Sequence, residues 1–228
     1  MAKDTTGRLH VQVKTGGKRK LSSKLWLERQ LNDPYVAKAK AQGYRSRAAF
    51  KLLEIDDKFR LLKPGMAVVD LGAAPGGWSQ IAAKRVGSVD GKGKVVAIDL
   101  LEMPEIPGVA FAQLDFMDNG APDKLTAMLG GGADIVMSDM AANTTGHRKT
   151  DQLRIVGLVE TAAAFACDVL KPGGTFLAKT FQSGADAGLL AQLKRDFATL
   201  RHVKPAASRQ DSSERYVLAT GFRGSTKA

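Results

Sequence analysis

From residue 64 onward, short apolar runs alternate with longer stretches in which apolar residues recur every three or four positions. Ala67–Leu71, Val95–Asp99, Val109–Gln113, Ile135–Ser138, Thr175–Thr180 and Tyr216–Thr220 read as strands, being short and mostly rich in β-branched and aromatic residues. Between them, spacing near 77–86, 122–129, 152–170 and 185–198 predicts helices. Apolar strands alternating with helices predict an α/β fold, a mostly parallel sheet covered on both faces. Leu200–Lys204 reads as one further strand. A polar loop, and no helix, separates it from Tyr216–Thr220, which predicts an antiparallel pair at one sheet edge.

The first quarter of the chain is different. Residues 1–21 are polar, hold Gly7, Gly16, Gly17 and a Lys18-Arg19-Lys20 cluster, and read as a flexible basic arm. Ser22 or Ser23 would cap a helix carrying Leu25, Trp26 and Leu31, and Asp33-Pro34 opens a second helix through about Gln42. Gly43 breaks it, and Ser46 would cap a third helix carrying Phe50, Leu53, Ile55 and Phe59. The expected organisation is therefore an arm at 1–21, a basic helical extension at 22–63, and a 64–228 domain onto which that extension packs.

Charge changes the picture. Of the formal net charge of +11 over 228 residues, residues 1–63 supply +10, from 16 Lys/Arg against 6 Asp/Glu, and residues 64–228 only +1. A basic excess so concentrated points to a polyanion, because each Lys or Arg placed on a phosphate releases condensed counterions. A solvated tail or an anionic membrane surface is the alternative. No run approaches eighteen apolar residues, and the polar start lacks a signal-peptide core, so a soluble, cytoplasmic protein without a membrane partner is expected. Cys167 is the only cysteine, and His10, His147 and His202 have no ligand-like spacing, so neither a disulfide nor a metal site is expected. A monomer is expected.

Candidate chemistry sits at the strand ends, where ligands bind in such sheets. Val68-Val69-Asp70-Leu71 runs into Gly72-Ala73-Ala74-Pro75-Gly76-Gly77-Trp78, an apolar strand, a glycine-rich turn and a helix start. Gly72 and Gly76 let a ligand approach the backbone with no Cβ between. Neither G-x-G-x-x-G nor the P-loop pattern is present, which disfavours a nicotinamide oxidoreductase or a P-loop nucleotide enzyme. Asp99 ends the next strand, 23 residues after Gly76, a place from which an acid hydrogen-bonds the ribose hydroxyls of an adenosine cofactor. Asp115 follows the third strand, within reach of an adenine amino group. Either acid alone could be a helix cap or a solvated residue; the set is more specific than its parts.

DLGAAPGGWSQ, the acids at 99 and 115, the VMSDMA segment at 136–141 and the FLAKTF strand together resemble the FtsJ/RrmJ (RlmE) family of large-subunit ribosomal RNA ribose 2′-O-methyltransferases. The resemblance spans about Trp26 to Gly221 and leaves the arm outside. It implies the class I methyltransferase fold, Rossmann-like, with seven strands and a terminal antiparallel pair, and S-adenosyl-L-methionine as cofactor. It further implies a catalytic tetrad on Lys51, Asp139, Lys179 and Glu214, and cofactor contacts from Gly76, Trp78, Asp99, Asp115 and Asp139. The implied substrate is a uridine of 23S rRNA in the large ribosomal subunit. Ala142 stands where the family usually has proline, which predicts slightly looser loop geometry with no lost chemical group.

The residues support these roles in their own terms. A ribose hydroxyl is a poor nucleophile at neutral pH, so positioning and a nearby base both help. Lys179 ends an apolar strand, an unusual place for a solvated lysine. Burial and a second cation, Lys51, favour its neutral amine, whereas Asp139 and Glu214 favour the ammonium, so base and positioner both remain open. Trp78, directly after the glycine turn, is expected to wall the methionine end of the cofactor. His147, within the stretch GHRKTDQLR, is a candidate for a loop over the site. A transfer-RNA or cap 2′-O-methyltransferase, and a non-catalytic RNA-binding assembly factor, are the alternatives; an intact tetrad argues against the last.

Overall fold

A computed structural model describes residues 11–13, 21–142, 148–181 and 187–224, excluding the side chains of residues 22, 26, 148, 149, 151 and 152. Helices α1 (Leu21–Leu31), α2 (Pro34–Ala41) and α3 (Ala48–Phe59) precede the sheet. Then follow β1 (Ala67–Leu71), α4 (Gly77–Val86), β2 (Lys94–Asp99), β3 (Val109–Gln113), α5 (Ala121–Leu129) and β4 (Ala133–Ser138). The chain continues through α6 (Arg148–Val169), β5 (Leu170–Phe181), α7 (Ala187–Asp196), β6 (Phe197–Val203) and β7 (Glu214–Phe222).

The seven strands lie in the order β3-β2-β1-β4-β5-β7-β6, parallel except for β7, which runs antiparallel to both β5 and β6. The order reverses between β1 and β4, which opens a crevice at their carboxyl ends. Alternation along the strands divides the core in two. Val68, Val95, Ile135, Leu177 and Leu218 pack against Leu52, Ile55, Trp78 and Ile81 of α3 and α4. Val69, Val96, Val136 and Phe176 pack against Leu125, Val159 and Leu193 of α5, α6 and α7. The basic extension is thus no appendage: α3 forms part of one covering layer.

Several local expectations change. The expected serine caps are not formed: α1 already begins at Leu21, and Arg47 takes the N-cap of α3 with no side-chain cap bond. Ser46 Oγ is buried without a partner, and a Cβ on Gly77 would lie 2.4 Å from it, so Ser46 is a close-packing residue under α4. Asp33 caps α2 as expected, accepting from the Tyr35 N–H at 3.0 Å. Strand β5 starts at Leu170, earlier than Thr175, because Lys171-Pro172-Gly173-Gly174 forms an irregular insertion where the pairing register with β4 shifts. Leu189, Leu193 and Phe197 share a helical spacing, yet α7 stops at Asp196 and Phe197 starts β6, its ring 5.2 Å from Phe222. Part of the arm is tied down, since Asn32 pairs its carboxamide with both backbone groups of Val11, at 2.8 and 2.9 Å. His147 lies outside the described residues; from Arg148 its neighbours are helical rather than loop.

Candidate active site

The glycine turn closes directly over β1. Gly72 and Gly76 have φ of +78° and +107°, a region that L side chains avoid. A Cβ on Gly76 would sit 2.5 Å from Ile106 Cδ1 and 2.9 Å from Met103 Sδ, so the segment after β2 packs on the turn as closely as glycine allows. Arg45 fastens that segment, its guanidinium donating to the carbonyls of Pro104 and of Glu105, the latter at 2.7 Å. Asp99 shapes the same turn. One of its oxygens accepts from the Ala74 N–H at 2.9 Å and the other from the Leu101 N–H at 2.8 Å. A carboxylate has about four acceptor positions, so roughly two remain for a ligand. Asp115 accepts from the Met117 N–H at 2.9 Å and stands at the end of β3, the next parallel strand.

Beneath the turn lies Asp70, fully buried. Ser79 Oγ donates to its Oδ2 at 2.5 Å, while Oδ1 has no partner. Burial pushes its carboxyl up to about 7; the Ser79 bond opposes this, and the charges of Asp139 and Asp99 add to it.

On the other side of the crevice, side chains from four distant parts of the chain form one connected network. Lys179 donates to the main-chain oxygen of Asp139 and lies 3.2 Å from Asp139 Oδ1. Tyr216 donates its hydroxyl to that same Oδ1 at 2.8 Å. Glu214 binds Lys51 through both oxygens, at 2.7 and 2.8 Å, and Ser208 Oγ donates to it at 2.8 Å. Tyr216 bridges the two pairs, since the Lys51 ammonium stands 5.9 Å from its ring centroid. The ladder explains the arrangement: Lys179 sits directly opposite Tyr216 on β7, and Glu214 projects from the same face two residues earlier.

Burial, then the Asp139 and Glu214 carboxylates, push the Tyr216 phenol well above its ordinary value. It therefore stays a neutral donor at physiological pH. Tyr216, Asp70 and Arg45 are residues that the sequence reading left without a role. For Tyr216 the available signal was its i, i+2 relation to Glu214. Trp78 corrects an expectation: its indole is 2% exposed, donates to the Ala48 carbonyl at 2.9 Å and packs 5.6 Å from the Tyr216 ring. The ring thus supports Tyr216 from behind and offers no open wall.

A family model described as FtsJ-like methyltransferase matches residues 44–222. The chain belongs to the FtsJ-like methyltransferase family. The ribosomal RNA large subunit methyltransferase E of Bradyrhizobium diazoefficiens is 95% identical over 228 residues, covering 100% of both chains. The protein of the same name from Nitrobacter winogradskyi is 83% identical over 224 residues, 98% of this chain and 97% of that one. A crystal structure described as a ribosomal RNA methyltransferase of Plasmodium falciparum superposes with TM-score 0.69 at 31% identity, over 80% of this chain and 100% of the other. The architecture is accordingly the class I methyltransferase fold. In this FtsJ-like methyltransferase, Lys51, Asp139, Lys179 and Glu214 meet as one group, while Gly76 and Asp99 shape the turn across the crevice and Asp115 follows the end of β3. Among the described residues, no helix is long and apolar enough to cross a membrane, and no cluster of His, Cys, Asp or Glu is suited to a metal ion.

Proposed function

We propose that the chain transfers a methyl group from S-adenosyl-L-methionine to a ribose 2′-hydroxyl of RNA, on a uridine of 23S rRNA in the large ribosomal subunit, in the cytoplasm. The observation that carries this reading is the continuous Lys179–Asp139–Tyr216–Glu214–Lys51 network beside a glycine turn at the sheet's switch point. The names of the relatives and the basic first quarter of the chain support the substrate class.

The turn fits the cofactor. Gly76 is the N-cap of α4 and supplies no side-chain cap, so the backbone N–H groups of the helix's first turn, Trp78 included, suit the methionine carboxylate. The orphaned Asp70 Oδ1 suits its ammonium, and Asp99 and Asp115 retain acceptor positions for ribose hydroxyls and the adenine amino group. S-adenosyl-L-methionine, when bound, supplies an electron-deficient sulfonium methyl.

The network orients the acceptor. Asp139 receives Lys179 and Tyr216 on Oδ1, which leaves Oδ2 to accept from the ribose hydroxyl. Lys179 has two of its three N–H bonds on Asp139, and the third donates to the hydroxyl oxygen. Held this way, the hydroxyl oxygen would take the methyl as the carbon–sulfur bond breaks, its proton would pass to Asp139 Oδ2 and on to solvent, and Lys179 serves as positioner. Glu214 and Lys51 border the RNA side. Mapping of 2′-O-methyl groups in rRNA from a strain lacking the gene, with and without complementation, tests the reading. Loss and recovery of one large-subunit uridine methyl is expected; an unchanged large-subunit pattern overturns it.

A further inference from the structure

Next to Lys51 and Glu214 a cleft of about 370 Å³ opens, lined among others by Arg29, Arg47, Arg209 and Asp211. It lies between α1, the start of α3 and the loop joining β6 to β7. Two of its arginines are held in place. Arg47 contacts Asp33 Oδ2 at 2.9 Å, donates to the Ala207 carbonyl and lies 5.6 Å from the Tyr35 ring centroid. Arg209 reaches the same Asp33 oxygen at 3.2 and 3.3 Å. Asp33, with 8% exposure, is buried behind the wall and braces two guanidinium groups at once. Arg29 is exposed and has no acid partner among the described residues.

We propose that this cleft binds one phosphodiester of the RNA, next to the acceptor ribose, and that Asp33 is the positioning residue that fixes Arg47 and Arg209 for it. The inference rests on the RNA reading above. Charge sets the size of the ligand. Lys51 neutralises Glu214, one arginine neutralises Asp33 and another offsets Asp211, which leaves a single positive charge, the complement of a single phosphodiester. Place sets its identity: the cleft touches the Lys51–Glu214 pair, so a strand whose ribose reaches Lys179 carries its neighbouring phosphate past these arginines. Planar guanidinium groups suit phosphate oxygens geometrically, and such contacts fix register without reading bases. Bracing removes ordering cost that free arginine side chains would bear on binding.

The test uses the full chain and large ribosomal subunits from cells lacking the enzyme. Arg29→Ala and Arg209→Gln should each raise KM for subunits about tenfold, the scale of one charge-assisted contact. Each should also lower the log–log salt slope by roughly 0.7–0.9, and the double variant by no more than one phosphate's worth, because both address the same group. Cofactor affinity should not change. Asp33→Asn keeps an acceptor for the Tyr35 N–H but frees both arginines, so KM should rise with kcat unchanged even though the wall gains a positive charge, the opposite of what charge alone would give. The dinucleotide UpU should compete with subunits, and uridine, lacking the phosphodiester, should not. Wild-type KM and salt slope in both arginine variants overturn the proposal, whether or not Asp33→Asn folds, as does competition by uridine equal to that by UpU. Wild-type enzyme that leaves large-subunit RNA unmethylated overturns the RNA reading instead.

Discussion

The two sides of the crevice are built by opposite means. The cofactor side comes almost entirely from contiguous sequence. Residues 70–78 form the turn, and Asp99 is bonded straight back to it. Its partners are mostly backbone N–H groups and glycines, so its geometry follows from main-chain conformation. The acceptor side is assembled from Lys51, Asp139, Lys179, Glu214 and Tyr216, with contacts spanning 163 residues in the Lys51–Glu214 pair. Its geometry follows from strand register and from charges meeting charges. A turn is stable under change elsewhere, whereas a network joined across three strands and a helix depends on all of them. Damage on the first side should therefore appear in cofactor affinity, and damage on the second in turnover.

The comparison is broken most sharply at Lys179. Lys179→Ala should reduce kcat by about a hundredfold or more, the scale for a group aligned with a proton in flight, and leave cofactor affinity unchanged. Single-turnover methylation with calorimetry of cofactor binding checks both halves; near-normal rates would place catalysis elsewhere. Asp99→Ala is the mirror experiment. It should weaken cofactor binding by roughly 1.5–3 kcal/mol through lost charge-assisted hydrogen bonds, with kcat at saturating cofactor much less affected. A changed kcat at unchanged affinity would reverse the assignment of the two sides.

Tyr216→Phe sharpens the account of the network, since it removes only the hydroxyl on Asp139. A fall of about tenfold in kcat is expected, the lower end of the range for one hydrogen bond to a carboxylate, with cofactor affinity and KM for RNA preserved. The smallest effect concerns stability. Asp70 ionises near 3.8 when unexposed to the fold and at about 7 within it. Across that interval the folded chain holds a proton that the unfolded chain has released, so stability without cofactor falls as pH rises and is level again above about 7. Asp70→Asn should remove this slope and raise Tm by a few degrees at pH 8 but not at pH 4. Parallel Tm–pH curves for the two proteins would refute the buried-acid account.

Much of the molecule was legible from residue patterns because the deciding interactions are local. β1 begins and ends where its apolar run does, and Asp33-Pro34 starts α2, since a capping carboxylate and a fixed φ act within two residues. The glycine turn was visible because only glycine tolerates its backbone angles. Other features were illegible for a stated reason. Phe197 carries a helical spacing and becomes a strand residue only because Phe222 and the antiparallel edge claim it. Ser46 has the chemistry of a cap, but the close approach of Gly77 uses it for packing. Trp78 stands next to the turn in sequence, yet its ring is drawn inward by Tyr216 and Ala48.

The sequence by itself therefore determined the layered α/β architecture, the turn, the acids that follow β2 and β3, and the basic first quarter. Each depends on backbone conformation, strand periodicity or net charge, which neighbouring residues specify. Only the tertiary structure decided that Tyr216 links Lys179–Asp139 to Glu214–Lys51, that Asp70 keeps an orphaned oxygen under the turn, and that one buried Asp33 braces two arginines. Those relations join residues distant along the chain, and their energies exist only once folding has excluded water from between them.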